Sequence, residues 1–145
     1  MAENIDLPSI EPKFDIFVEG WSFGHTASDG ISTDDVLLRT DQLVQSAEKN
    51  IKTGGQIIFI ESLGTNVDSP FAPNERLGHF YRSLVDRHGF TQSTIRTDYK
   101  FESNDEAVRV MGFFFGEKSI QAIKNRRTNT IPEWTGLWTR DRVVG

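Results

Sequence analysis

Two short stretches hold most of the side chains that can do chemistry. "EGWSFGH", residues 19–25, sets a carboxylate, a glycine, an indole, a hydroxyl and an imidazole close together, and "ESLGT", residues 61–65, runs carboxylate, hydroxyl, glycine, hydroxyl. Each follows an apolar run, Phe14 to Val18 in the first case and Ile57 to Ile60 in the second. A carboxylate at the end of a strand can accept hydrogen bonds from a ribose or a substrate amine, Gly20 lets a backbone approach closely, and Trp21 offers a flat apolar wall. The plainer alternative is that Trp21 and His25 pack over the helix that follows. Ser22, His25 and Asp29 formally supply a nucleophile, a base and an orienting carboxylate, but no G-x-S-x-G elbow surrounds Ser22, which argues against a hydrolase. His25, His79 and His88 lack the i, i+3 or i, i+4 spacing that two metal ligands on one helix face require, so no metal site is expected.

The elements that must position these groups read as an α/β fold. Phe14 to Glu19 has apolar residues on both sides of the pleat, the pattern of a strand buried on both faces in a parallel sheet. Thr33, Asp34 and Asp35 supply capping side chains and negative charge for a helix over about 34–50, whose apolar positions are Val36, Leu37, Leu43, Val44 and Ala47. Gly54 and Gly55 break that helix, and residues 56–61 form a second parallel strand. Ligands in open α/β sheets sit beyond the carboxyl ends of such strands, which is where Glu19 and Glu61 fall.

Further along, Asn74 introduces a helix over about 75–87 that ends at His88-Gly89. Residues 90–101 and 107–116 then read as an antiparallel pair of strands, because the second run is rich in Val and Phe. A short helix over about 119–126 follows, and residues 129–145 read as an irregular tail. The whole is expected to be one domain.

Composition narrows the function classes. With 145 residues, 37% hydrophobic and 26% charged, the chain is long enough to bury a core and lies outside the disordered regime. A net charge of -5, with only Lys124, Arg126 and Arg127 densely clustered, argues against nucleic-acid binding through phosphates. No cysteine is present, so thiolate chemistry and disulfides are excluded. No signal peptide or membrane-spanning run is visible, so no membrane association is expected and the cytoplasm is the expected location.

Taken in combination, "PKFDIFVEGWSFGH", "AEKNIKTGGQIIFIESLG", "ERLGHFYRSLVDRHGF" and "DEAVRVMGFFFGE" resemble the C-terminal half of a class I S-adenosylmethionine-dependent methyltransferase, a Rossmann-like fold. The resemblance covers residues 14–116. It implies that the first two parallel strands are the fourth and fifth of that fold and that 107–116 is its final strand, inserted antiparallel beside 56–61 with 90–101 outside it. Ala2, Glu3, Leu7 and Pro8 resemble the segment that contacts the adenine, although Met1 stands where that segment has an acidic residue.

The implied cofactor is S-adenosylmethionine, bound by Ala2, Glu3, Glu19, Gly20 and Trp21. Glu19 and His25 are the candidates for a catalytic base, and Ser22, Glu61, Arg76 and Tyr81 face a small-molecule methyl acceptor. The family's G-x-G-x-G loop and the strand before it are absent from residues 1–145. The expectation is therefore an enzyme half that is inactive alone and that partners either a missing N-terminal half or a second copy through the exposed edge of Phe14 to Val18. The alternative is a non-catalytic Rossmann-like remnant that acts as a protein-interaction module.

Overall fold

A computed structural model describes residue 5 and residues 7–143. Six strands and five helices follow in the order β1 (Phe14–Gly20), α1 (Phe23–Ser28), α2 (Thr33–Glu48), β2 (Ile51–Thr65), α3 (Glu75–Asp86), β3 (Thr91–Arg96), β4 (Tyr99–Lys100), α4 (Asn104–Phe115), α5 (Glu117–Arg126), β5 (Thr130–Ile131) and β6 (Glu133–Asp141). The chain is α/β, and its main sheet is mixed, with strand order β1-β2-β6-β3.

β1 and β2 are parallel, with Val18 opposite Ile58 and Gly20 opposite Ile60. β6 runs antiparallel to β2: Gly54 N–H donates to Arg142 O at one end and Asn66 N–H to Pro132 O at the other, so the numbers fall on one strand as they rise on the other. β3 is antiparallel to β6 by the same reasoning, from Thr97 N–H to Glu133 O and from the Arg140 guanidinium to His88 O. No helix among the described residues is long and apolar enough to cross a membrane.

The chain divides into two compact units, Met1–Glu61 with Ala72–Ser93 and Gly136–Gly145, and Ser62–Phe71 with Thr94–Thr135. In the first, the two expected helices form, although Ser32 and not Thr33, Asp34 or Asp35 supplies the cap of α2. Ser32 Oγ accepts from Asp35 N–H ahead of α2, and Asn74 Oδ1 accepts from Leu77 N–H ahead of α3. Val36, Leu43, Val44 and Ala47 of α2 and Phe80 and Leu84 of α3 are buried. An aromatic chain ties them to the sheet: Phe23 of α1 sits 5.1 Å from Phe59 of β2, Phe59 stacks on Phe90 at 5.0 Å, and Tyr81 of α3 stacks on Trp138 of β6 at 4.4 Å.

Alternation along β2 shows which face those helices cover. Ile57, Phe59 and Glu61 are buried on the helix side, while Gln56, Ile58 and Ile60 are only partly covered on the other. β1 departs from its expected burial on both faces. Phe14, Ile16 and Val18 remain 45%, 57% and 56% exposed, because among the described residues β1 is an edge strand and no layer covers its second face. Gly54 and Gly55 also differ from expectation: α2 ends at Glu48, and the two glycines lie within β2, where Gly54 adopts a φ of 78°.

In the second unit, residues expected as a strand form a helix. Ser103 Oγ caps α4 by accepting from Glu106 N–H, Asp105 and Glu106 place negative charge in the first turn, and Ala107 and Met111 recur four residues apart. Those two pack with Ile123 of α5 and Ile131 of β5, and Phe101 and Val108 lean against them. The Phe113-Phe114-Phe115 run that favours a strand by composition lies at the exposed end of that helix. Residues 129–145, expected to be an irregular tail, instead supply β5 and β6, and it is β6 that lies antiparallel beside β2 in the place expected for 107–116.

Candidate functional site

The carboxyl end of β1 meets α1 beside Glu61, which lies within β2 and not at a strand end as expected, because β2 runs on to Thr65. Trp21 N–H donates to Ile60 O at 2.8 Å, which holds the chain leaving β1 against β2. At that point Trp21 takes a φ of 53°, a left-handed conformation that costs a non-glycine residue about 1–3 kcal/mol. The turn redirects the chain into α1, a helix of Phe23 to Ser28 whose first N–H groups point back at the sheet.

Those N–H groups are taken by the carboxylates of Glu19 and Glu61. Glu19 Oε2 accepts from Ser22 N–H at 3.3 Å and Phe23 N–H at 3.1 Å, and Glu61 Oε1 accepts from Gly24 N–H at 2.6 Å. The two carboxylates thus cap α1 from outside it, since the Ser22 side chain does not. Gly24 is required for this approach. A Cβ there would fall 2.7 Å from Glu61 Oε2, well inside van der Waals contact.

Both carboxyl groups are almost fully buried, Glu19 at 7% and Glu61 at 4% exposure. Burial, followed by the charge of Glu19, pushes Glu61 up to about 8, while the Gly24 N–H pulls it back. Glu19 is also raised by burial, against the lowering pull of the α1 N–H groups and of Glu61. The two side chains lie within hydrogen-bonding reach of each other, and two carboxyl groups can bond only if one carries a proton. Burial thus pushes both carboxyls toward the protonated form, and a proton on Glu61 would let it donate to Glu19. Glu19 Oε1 is buried with no N–H or hydroxyl donor among the described residues. Tyr81 completes the cluster from α3: burial and then the charges of Glu61 and Glu19 raise its phenol.

The structure brings together some of the residues expected at a site and separates others. Glu19, Gly20, Trp21, Ser22, Glu61 and Tyr81 lie together at the carboxyl end of β1, beside Ile60 and Glu61 of β2. Trp21 is 55% exposed. His25 lies exposed on α1. Arg76 is at the far end of that helix, where its guanidinium donates to Ser28 O at 3.1 Å, a cation set on a helix C-terminus. Arg76 is thus not a neighbour of the carboxylate pair. Ala2 and Glu3 lie outside the described residues.

Glu19 does not fit the role of a cofactor ligand. Its carboxyl faces inward onto α1, and a ribose outside the sheet cannot reach a group so deeply covered. Gly20 has open space around it, with nothing within 4 Å of a Cβ built there. Trp21 is the residue of this group that offers a ligand a surface.

Two residues escaped the sequence reading. Gly24 is one; its signal is a glycine at the third residue after Trp21, within the first turn of a helix too short to show a periodic pattern. The other is Glu133 in the second unit, buried at the start of β6, where Oε1 accepts from Ser62 Oγ at 3.2 Å and burial raises its carboxyl. Among the described residues, no group of three or more His, Asp or Glu side chains is placed to hold a metal ion. No protein-family model and no curated protein matches the chain.

Proposed function

We propose that residues 1–145 are the C-terminal half of an S-adenosylmethionine-dependent methyltransferase that acts on a small molecule and needs a glycine-rich loop from outside these residues to work. The observation that carries this reading is the sheet order β1-β2-β6-β3, with two parallel strands followed by an antiparallel strand set between β2 and the edge strand β3. The same arrangement is what the resemblance implies for the fourth to seventh strands. Residues 107–116, expected as that inserted strand, fall in α4 and its C-cap instead, which counts against the resemblance over that stretch; the support comes from β6, which takes the position beside β2. A second support is Trp21, an exposed indole held at a left-handed position where glycine would be less strained.

In this reading Trp21 contributes an apolar wall that helps to position and desolvate the reacting groups. The Glu19–Glu61 pair holds α1, and with it Trp21, at the carboxyl end of β1. Neither carboxylate meets the acceptor directly. Tyr81 lies close enough to feel the charges of the pair. S-adenosylmethionine would supply an activated methyl group, but Gly20 and Trp21 alone do not make a site for it.

Each missing charged hydrogen bond costs about 1.5–3 kcal/mol, and each 1.4 kcal/mol is about tenfold in affinity. Titration calorimetry of residues 1–145 with S-adenosylmethionine is therefore expected to show no saturable binding. Binding and methyl transfer should appear when a polypeptide carrying a strand and a G-x-G-x-G loop is co-expressed. Micromolar affinity by residues 1–145 alone would overturn the half-enzyme reading.

A second reading, a non-catalytic interaction module, is favoured by β1 itself. Phe14, Ile16 and Val18 stay exposed on an edge strand, and apolar edges of this kind are sites of association.

A further inference from the structure

We propose that α1 is a pH-operated cover: it stays seated while the Glu19–Glu61 pair carries a proton and lifts as a unit when the pair is fully ionised. The inference concerns how α1 is held and does not depend on the methyltransferase reading. Two carboxyl groups hold the start of this helix, Glu19 through Ser22 and Phe23 N–H and Glu61 through Gly24 N–H. The Ser22 side chain adds no cap, and six residues are too few to stay helical without outside support. Contact at Gly24 ties helix and carboxyl together. A Cβ there would lie 2.7, 2.9 and 2.9 Å from three atoms of the Glu61 carboxyl, so any shift that opens a path for water at that point moves α1.

No cation offsets the pair. Among the described residues neither carboxyl has a lysine or arginine beside it, and the other titratable group that feels them is Tyr81 of α3. His25 is exposed on α1 itself. The guanidinium groups that reach α1 do so at its far end: Arg39 of α2, also bonded to Asp35, donates to Thr26 O at 3.4 Å, and Arg76 donates to Ser28 O at 3.1 Å. Two adjacent buried carboxyls without a cation cannot both ionise in place at low cost, and α1 is what keeps water from them. Its Phe23 is 2% exposed, 5.1 Å from Phe59 and 6.0 Å from Phe17.

The N–H groups of α1 favour the ionised form, but burial outweighs them, since both carboxyls are raised and Glu61 reaches about 8. Closure therefore holds a proton that lifting releases to solvent. The open fraction grows with pH above about 4.5 and levels off above about 8. The chain on either side limits the motion to α1. Gly20 has nothing within 4 Å of a Cβ, and Trp21 is free to leave its left-handed φ of 53° once the helix lifts. Beyond α1, Gly30 packs against Val36, and Ser32 caps α2 separately.

The test is hydrogen exchange of single amides in residues 1–145 from pH 5.5 to 8.5, corrected for the intrinsic rate. Protection of Phe23, Gly24 and Ala27 should fall by about tenfold or more between pH 6 and pH 8, and should change little in dilute urea, the mark of a local opening. Val44 and Leu84, buried in α2 and α3, should stay more protected and respond to urea. Glu61→Gln keeps an acceptor for the Gly24 N–H and should abolish the fall. Glu19→Gln leaves a lone carboxyl and should reduce the fall to less than about threefold, even where it lowers protection throughout. If Glu61→Gln does not fold, Glu19→Gln decides. Protection independent of pH, a fall that survives the substitutions, or α1 amides that exchange only together with Val44 and Leu84 would overturn the proposal.

Discussion

Replacing Glu61 with Gln tests the proton shared by the carboxylate pair. Glu61 rises from an ordinary 4.5 to about 8, which at about 1.4 kcal/mol per unit is on the order of 4–5 kcal/mol between its two protonation states. The folded chain binds this proton more tightly than the unfolded chain does. Its contribution to stability is therefore complete below about pH 4.5 and is lost as pH rises through about 8. Glu19, also raised, acts with the same sign. Local release of the six-residue α1 relieves part of the repulsion, so the loss expected in the wild type between pH 5 and pH 9 is about 2–3 kcal/mol.

The introduced amide reproduces the protonated carboxyl: its carbonyl accepts the Gly24 N–H and its NH2 group donates to Glu19. Glu61→Gln should be close to wild type at pH 5 and more stable by about 2 kcal/mol at pH 9. Urea unfolding of both proteins at pH 5, 6, 7, 8 and 9 measures this, and the difference between the two curves cancels the three histidines. Parallel curves, or a variant less stable than wild type at pH 9, would refute the shared proton.

Three further outcomes follow from the packing. Gly24→Ala, whose Cβ would press on the Glu61 carboxyl, should cost about 1–3 kcal/mol, whereas Gly20→Ala, with open space around it, should stay within about 0.5 kcal/mol in thermal unfolding. Trp138→Ala removes a fully buried ring stacked on Tyr81 and should cost about 3–5 kcal/mol in the same measurement. Ser103→Ala removes the α4 cap and should cost about 1 kcal/mol, with faster amide exchange confined to the first turn of that helix.

The first half of the fold was legible because periodicity and caps agreed. Helices α2 and α3 carry polar capping residues ahead of apolar stripes, with Ser32 standing just before the caps read for α2, and residues 56–61 of β2 are apolar and β-branched enough to read as a strand. The second half was not, because composition and pattern conflicted there. Residues 107–116 hold the Val and Phe that favour strands, but Ser103, Asp105 and Glu106 form a complete helix start, and the aromatic run proved to be surface. β6 was missed for the opposite reason. Its buried positions are Glu133, Thr135, Gly136 and Trp138, too polar and mixed to announce a strand with two neighbours. Its burial comes from pairing with β2 and β3 and from Tyr81 stacking on Trp138, contacts that no local window contains.

At the site, sequence reading put Glu19 and Glu61 at two strand ends facing a ligand, whereas Glu61 lies within β2 and both carboxyls face α1. The inference ran from strand ends to a ligand, since that is where open α/β sheets place one. It could not include α1, six residues long and without a readable stripe, which fills that place and takes the hydrogen bonds of both groups. A carboxylate committed to backbone N–H groups and a neighbour's proton has little left to offer a substrate. The residue that α1 leaves exposed is Trp21, and it is exposed because the same carboxylates fix the turn on which it sits. Removing the pair should therefore reach any ligand indirectly. Glu19→Gln would loosen α1 and shift affinity through the mobility of Trp21, whereas Trp21→Ala would remove the contact itself. If a ligand is found, Glu19→Gln should broaden the Trp21 indole signal in an NMR spectrum and weaken binding less than Trp21→Ala does. The reverse order of affinities would show that Glu19 touches the ligand after all.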